Sequence, residues 1–161
     1  PGSLSIPCQR RRFVNEQVRC IAEDHYPTMS LEELQGMKIP VMDDAVIFMW
    51  ATCVRLREAL SLLDAWGFEY KTNMVWDKEK MGTGFYCRGQ HELLLIATRG
   101  IPITPMCTDI VSSVIREKRT EHSAKPTIVY SIIEKMYPDI PKIELFARVK
   151  RDGWHSFGNQ L

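Results

Sequence analysis

Three apolar runs of strand length, Ala45–Trp50, Glu92–Thr98 and Lys142–Ala147, most restrict what this chain can fold into. The first two are apolar almost throughout rather than alternating, as in strands buried on both faces, and Lys142–Ala147 is read as a buried strand too. Segments with helical spacing lie between them. Leu56, Ala59, Leu60 and Leu63 share one helical face, with Gly67 as the stop. Ile128, Val129, Ile132, Ile133 and Met136 line a second face, opened by Pro126 in the first turn and followed by Pro138. Ser30-Leu-Glu-Glu33 reads as a capping box opening a short helix that Gly36 weakens at its end. Tyr70–Trp76 is a further strand, Val18–Ile21 a short one and Trp154–Phe157 an edge strand. Lys78–Arg88, with Gly82 and Gly84, is a loop, and Pro102–Thr108 is irregular. The alternation of strands and helices makes the expected fold class α/β, a sheet covered by helices.

A length of 161 residues suits one domain with its own core, taken as residues 1–161. Net charge is +1, so no overall field draws the chain to nucleic acid or membrane; local clusters must do so. Arg10–Arg12, Arg116–Arg119 and Lys150–Arg151 are such clusters, and each also reads as a solvated face. No apolar run approaches the roughly 20 residues that span a bilayer. The expected location is the cytoplasm. Pro1-Gly2-Ser3 reads as a cloning remnant, so a natural N-terminus is expected to differ. The five cysteines form no Cys-x-x-Cys pair, and the four histidines show no metal-ligand spacing. Reduced thiols and no metal site are expected.

Three polar segments adjoin the predicted elements. Asp24-His-Tyr-Pro-Thr-Met29 puts a carboxylate, an imidazole and a phenol ring before the capped helix; such a segment alone is more often a helix-entry loop than a site. Arg116–Pro126 ends in a lysine beside a helix-opening proline, where the positive helix end favours anions; the alternative is a charged surface loop. Glu144-Leu-Phe-Ala-Arg148 with Gly158-Asn-Gln160 puts a carboxylate near the carboxyl end of a buried strand, where α/β folds bind ligand hydroxyls; the alternative is a salt-bridged glutamate.

Several segments occur in an order that resembles the MT-A70 family of adenine methyltransferases: His25-Tyr-Pro-Thr-Met-Ser30, Ile47-Phe-Met-Trp-Ala-Thr52, Trp66-Gly-Phe68, Val75-Trp76 with Lys78, Gly89-Gln-His-Glu-Leu93, Ala97-Thr-Arg-Gly100, Glu121-His-Ser-Ala-Lys-Pro126, Ile143-Glu-Leu-Phe-Ala-Arg148 and Gly158-Asn-Gln-Leu161. Each is weak alone; in order over residues 22–161 they are specific, and their wording is nearest bacterial and phage members.

The resemblance implies a class I, Rossmann-like methyltransferase sheet with helices on both faces and permuted motif order. It implies methyl transfer from S-adenosylmethionine to the exocyclic nitrogen of adenine, in DNA by likeness to bacterial members, with RNA or an inactive nucleic-acid-binding partner subunit as alternatives. By the same resemblance Lys125, Glu144, Arg148, Asn159 and Gln160 hold the cofactor, and Tyr26 borders the target-base pocket. Trp76, Lys78, Arg88, His91, Arg116, Arg119 and His122 lie on the substrate side. A homodimer, or a heterodimer with a related subunit, is expected through the region around Lys78–Arg88.

One departure bears on chemistry. The family's Asp-Pro-Pro-Trp, upstream of the Tyr-Pro-Thr-Met segment, is absent, and Ile21 runs directly into Ala22. The adenine amine is a poor nucleophile, so a carboxylate and a carbonyl must hold its protons while an aromatic ring stacks on the extruded base. Glu23 and Asp24 are the nearest carboxylates and lack the rigid turn. A true deletion would leave a non-catalytic relative. A catalytic loop missing between Ile21 and Ala22 accounts better for the otherwise intact pattern, and it predicts a Cα separation there well above ~3.8 Å.

Overall fold

The computed structural model describes residues 29–84, 86–101, 103–105, 111–118 and 124–158. The Ile21–Ala22 junction, the strand expected over Val18–Ile21 and the residues Tyr26, Arg119, His122, Asn159 and Gln160 lie outside them.

The chain enters through α1 (Leu31–Gly36), and the capping box forms in full: Ser30 Oγ accepts from the Glu33 amide and Glu33 Oε2 accepts from the Ser30 amide. Next come β1 (Ala45–Ala51), a 3₁₀ turn (Cys53–Arg55) and α2 (Leu56–Ala65). Gly67, at φ 76°, lets the chain turn back, and the Phe68 amide bonds to the Leu63 carbonyl. Then follow β2 (Glu69–Asp77), β3 (His91–Arg99), β4 (Val114–Arg116), α3 (Ile128–Met136), β5 (Lys142–Leu145) and β6 (Trp154–Phe157).

Four strands form a mixed sheet in the order β1-β3-β2-β4. β3 is antiparallel to both β1 and β2, and β4 is parallel to β2. β1, β2 and β4 therefore point the same way, and their carboxyl ends share one edge with the start of β3. β5 and β6 pair in parallel as a separate two-stranded sheet.

The apolar runs follow from burial on both faces. Ala51, Leu95 and Ala97 face Leu62, Leu63, Trp66 and Phe68, with Leu31 and Leu34 of α1 packed alongside. Across the sheet, Met74, Trp76, Leu94 and Ile115 pack against Val129 of α3, joined by Phe48, Trp50, Ile96, Ile132 and Ile133. Side chains alternate between the two cores along β1 and β3, so neither strand has a polar face. Leu63, Leu94 and Leu95 are essentially inaccessible; burying each contributes about 1.5–3 kcal/mol.

Three expectations need correction. β4 was not foreseen: its three residues sit among Ser112, Ser113 and Glu117, too short for a periodic signal. Ile128, assigned to the inner face of α3, is 49% exposed, because the helix opens there and only later turns bring side chains onto the sheet. Lys142–Ala147, expected as a strand buried on both faces, is only half-buried in the separate β5–β6 sheet and ends at Leu145, because Phe146 takes φ 61° and breaks the extended backbone.

Candidate active site

In α/β sheets ligands collect beyond the carboxyl ends of strands, and here that edge holds the densest group of polar side chains. Glu92, the second residue of β3, is at its centre. Its carboxylate meets Lys125 Nζ at 2.5 Å and Lys78 Nζ at 3.3 Å. The side chains are 14%, 30% and 17% exposed respectively, so solvent screens these pairs only partly. Burial pushes the Glu92 carboxyl up, but Lys125 and Lys78 outweigh it and hold it below the ordinary glutamate value.

Lys125 Nζ also lies 5.5 Å from the centroid of Trp50, near the end of β1, and Trp50 meets Trp76 edge-on at 5.9 Å. Lys125 comes just before Pro126 and α3, so the helix that covers one core also delivers this cation to the sheet edge.

A second layer surrounds this ion cluster. Asp77 ends β2 and stands opposite His91 on one side and Arg116 on the other. Its carboxyl is held below the ordinary value, chiefly by the hydrogen bond from Gln90 and then by the Glu79 amide, with smaller help from Arg116 and His91. His91 Nε2 lies 3.2 Å from Cys53 Sγ at the start of the 3₁₀ turn after β1.

The carboxylate of β5 sits in another cluster. Glu144 Oε1 accepts from the Tyr130 hydroxyl at 2.7 Å. Arg151 stacks on the Tyr130 ring at 3.9 Å, Trp154 meets it edge-on, and the Trp154 indole donates to Glu134. Burial, then the bond to Glu144, pushes the Tyr130 phenol up to about 12. Past β5, the Ala147 amide donates to the Phe157 carbonyl, and Gly158 lies so close to the Ala147 backbone that a Cβ would overlap the carbonyl oxygen.

Expectation and structure can now be compared by residue. Lys125, Lys78, His91 and Arg116 lie at one sheet edge. Arg88 is exposed in the 78–90 loop, and Arg148 is exposed after Ala147. The β5–β6 pairing sets Glu144 opposite Ser156, and Gly158 lies against the Ala147 backbone. Trp76 is not a surface contact: it is 2% exposed and its indole donates to the Glu117 carbonyl, so its role is to brace Trp50 from within the core. Glu92, Asp77, Trp50 and Cys53 were not singled out beforehand. The signal for Glu92 was present: a carboxylate heading an otherwise apolar strand must find a cation once buried.

The arrangement offers a cation shared between a carboxylate and an aromatic face, a second cation, and a strand edge open to ligand. Lys125 can meet a ligand carboxylate while Glu92 keeps it in place. Glu144 has lone pairs beyond the one used by Tyr130, enough to accept from a hydroxyl. Among the described residues no three His, Cys, Asp or Glu side chains group as metal ligands would, and no helix is long and apolar enough to cross a membrane.

Comparison with known proteins places this geometry. The MT-A70 family model matches residues 7–160. The type II methyltransferase M.MunI of Mycoplasma sp is 40% identical over 160 residues, covering 98% of this chain and 69% of the relative. A probable N(6)-adenosine-methyltransferase MT-A70-like of Oryza sativa subsp. japonica is 30% identical over 149 residues, 84% of this chain and 20% of the relative. The N(6)-adenosine-methyltransferase catalytic subunit METTL3 of Homo sapiens is 29% identical over 150 residues, 84% of this chain and 25% of the relative. The chain thus spans most of the Mycoplasma protein but only a fifth to a quarter of those two eukaryotic ones. The matched stretch also takes in residues 7–19, which the motifs left unassigned. On the extent of that match, the chain belongs to the MT-A70 family.

Proposed function

We propose that this chain is an adenine-N6 methyltransferase domain that acts on DNA and uses S-adenosylmethionine. The observation that carries the reading is the family match over residues 7–160, with a type II methyltransferase at 40% identity. The strand-edge cluster is consistent with it in position and chemistry. In this reading the sheet is of the class I, Rossmann-like kind with permuted motif order, within one domain. The protein works in the cytoplasm, where its substrate is.

The residues present fit the cofactor. Lys125 binds its carboxylate, and Glu144, Arg148, Asn159 and Gln160 bind its hydroxyl-bearing end. When bound, S-adenosylmethionine supplies an electrophilic methyl group on sulfur. Glu92 and Lys78 hold Lys125 in register, Trp50 walls the edge, and Tyr26 borders the target base. Arg88, His91, Arg116, Arg119 and His122 take the substrate side, where cations neutralise phosphates.

Methyl transfer from labelled S-adenosylmethionine to matched DNA and RNA oligonucleotides tests the reading. Incorporation into DNA adenine is the expected result, and none into either polymer defeats it. Incorporation into RNA alone establishes the second reading, which the adenosine methyltransferases at 29–30% identity favour. The absent Asp-Pro-Pro-Trp favours a third, a non-catalytic partner subunit; calorimetric binding of S-adenosylmethionine would count against it. We take a catalytic loop to belong between Ile21 and Ala22. Sequencing the gene across the codons for residues 1–28 tests this, and an uninterrupted frame there rules it out.

A further inference from the structure

We propose that Cys53 is a covalent modification site: a nucleophilic thiol, with His91 as its base, that exchanges with low-molecular-weight disulfides, and whose mixed disulfide blocks the strand-edge cluster. The blocking clause rests on the function proposed above; the thiol chemistry does not.

Cys53 is exposed at the start of the 3₁₀ turn after β1, so core packing does not account for it. Its Sγ lies 3.2 Å from His91 Nε2 and 3.8 Å from the His91 carbonyl oxygen. Nucleophile and base are thus within reach of each other, and when Nε2 carries no proton the thiol hydrogen points at it. The imidazole is fixed in sequence position at the first residue of β3, paired across the strands with Asp77. Cys87, the other described free thiol, is also exposed, and among the described residues it meets no imidazole.

In the exchange, the Cys53 proton passes to His91 Nε2 as Sγ attacks one sulfur of the incoming disulfide. A new S–S bond forms and the old one breaks. The departing thiolate takes the proton from His91, so Cys53 is oxidised as half of the small disulfide is reduced. The adduct sits three residues beyond Trp50, whose ring lies under Lys125, and beside the residue preceding Glu92. A tripeptide-sized group there covers the edge at which ligand must enter.

The test uses the full chain, reduced and then exposed to oxidised glutathione, with adducts mapped by peptide mass over time. Cys53 is expected to be capped about tenfold faster than Cys87. His91→Gln brings the Cys53 rate down to that of Cys87 and leaves Cys87 unaffected. Equal rates at the two cysteines, or no effect of His91→Gln, overturn the thiol assignment. Capped protein is expected to lose methyl transfer and regain it with dithiothreitol, whereas glutathione-treated Cys53→Ser keeps its untreated activity. Full activity of capped protein overturns the blocking clause. Absence of methyl transfer by the uncapped protein removes the function and the blocking clause together, while the mapping still decides the thiol.

Discussion

Glu92 joins two lysines in one half-buried ion cluster. Its carboxyl sits below the ordinary value, so folding favours the charged form. That contribution is present above the unfolded value of about 4.5 and is lost as pH falls through the folded one. Glu92→Gln leaves Lys125 and Lys78 without their partner and should cost about 1–3 kcal/mol at neutral pH. Denaturant titrations at neutral and acid pH check this: the gap between wild type and variant should narrow below the glutamate range, and a constant gap refutes the account. Tyr130 gives the opposite sign. Its phenol is pushed up to about 12, so its contribution is complete below the ordinary value of 10.0 and disappears as pH rises through about 12. Tyr130→Phe should cost about 1 kcal/mol near neutrality and remove that alkaline loss, as thermal melts across the alkaline range would show. At this scale residue types were legible but partners were not. Trp76 and Lys78 are two positions apart, a spacing that shares one face within a strand, yet one braces the core and the other meets Glu92, because β2 ends at Asp77 between them.

At the scale of elements, local chemistry sets the ends and long-range packing sets the lengths. The capping box at Ser30, the glycine stop at Gly67 and the proline before α3 each act within a few residues, and each is found where the sequence puts it. β4 exists because β2 offers it a parallel partner, and β5 stops early because Phe146 turns toward Ala147 and Gly158. Gly158→Ala drives a Cβ into the Ala147 backbone and should cost about 1–3 kcal/mol, with the Trp154 environment changed because β6 must shift. Gly36→Ala meets nothing within 4 Å and should be neutral or stabilising by about 0.4–1 kcal/mol. Parallel urea melts of the two variants test the contrast, and equal losses would show that Gly158 is not tightly packed.

For the whole molecule, two cores on opposite sides of one mixed sheet hold the strand edge rigid, with α1 and α2 behind it and α3 in front. The 78–90 loop projects from that edge and carries exposed Met81 and Tyr86. We expect it to mediate pairing, so light scattering at micromolar concentration should give a dimer mass, and Tyr86→Ser should shift it toward monomer. A monomeric wild type counts against this. The sequence by itself determined the α/β class, the helix boundaries and the family, because apolar period, caps and ordered motifs are local properties carried by the chain. Only the tertiary structure decided that β3 runs antiparallel between β1 and β2, that Glu92 gathers Lys78 and Lys125, and that His91 reaches Cys53. Those pairings join residues 14 to 38 positions apart, and strand order, which no local period encodes, brings them together.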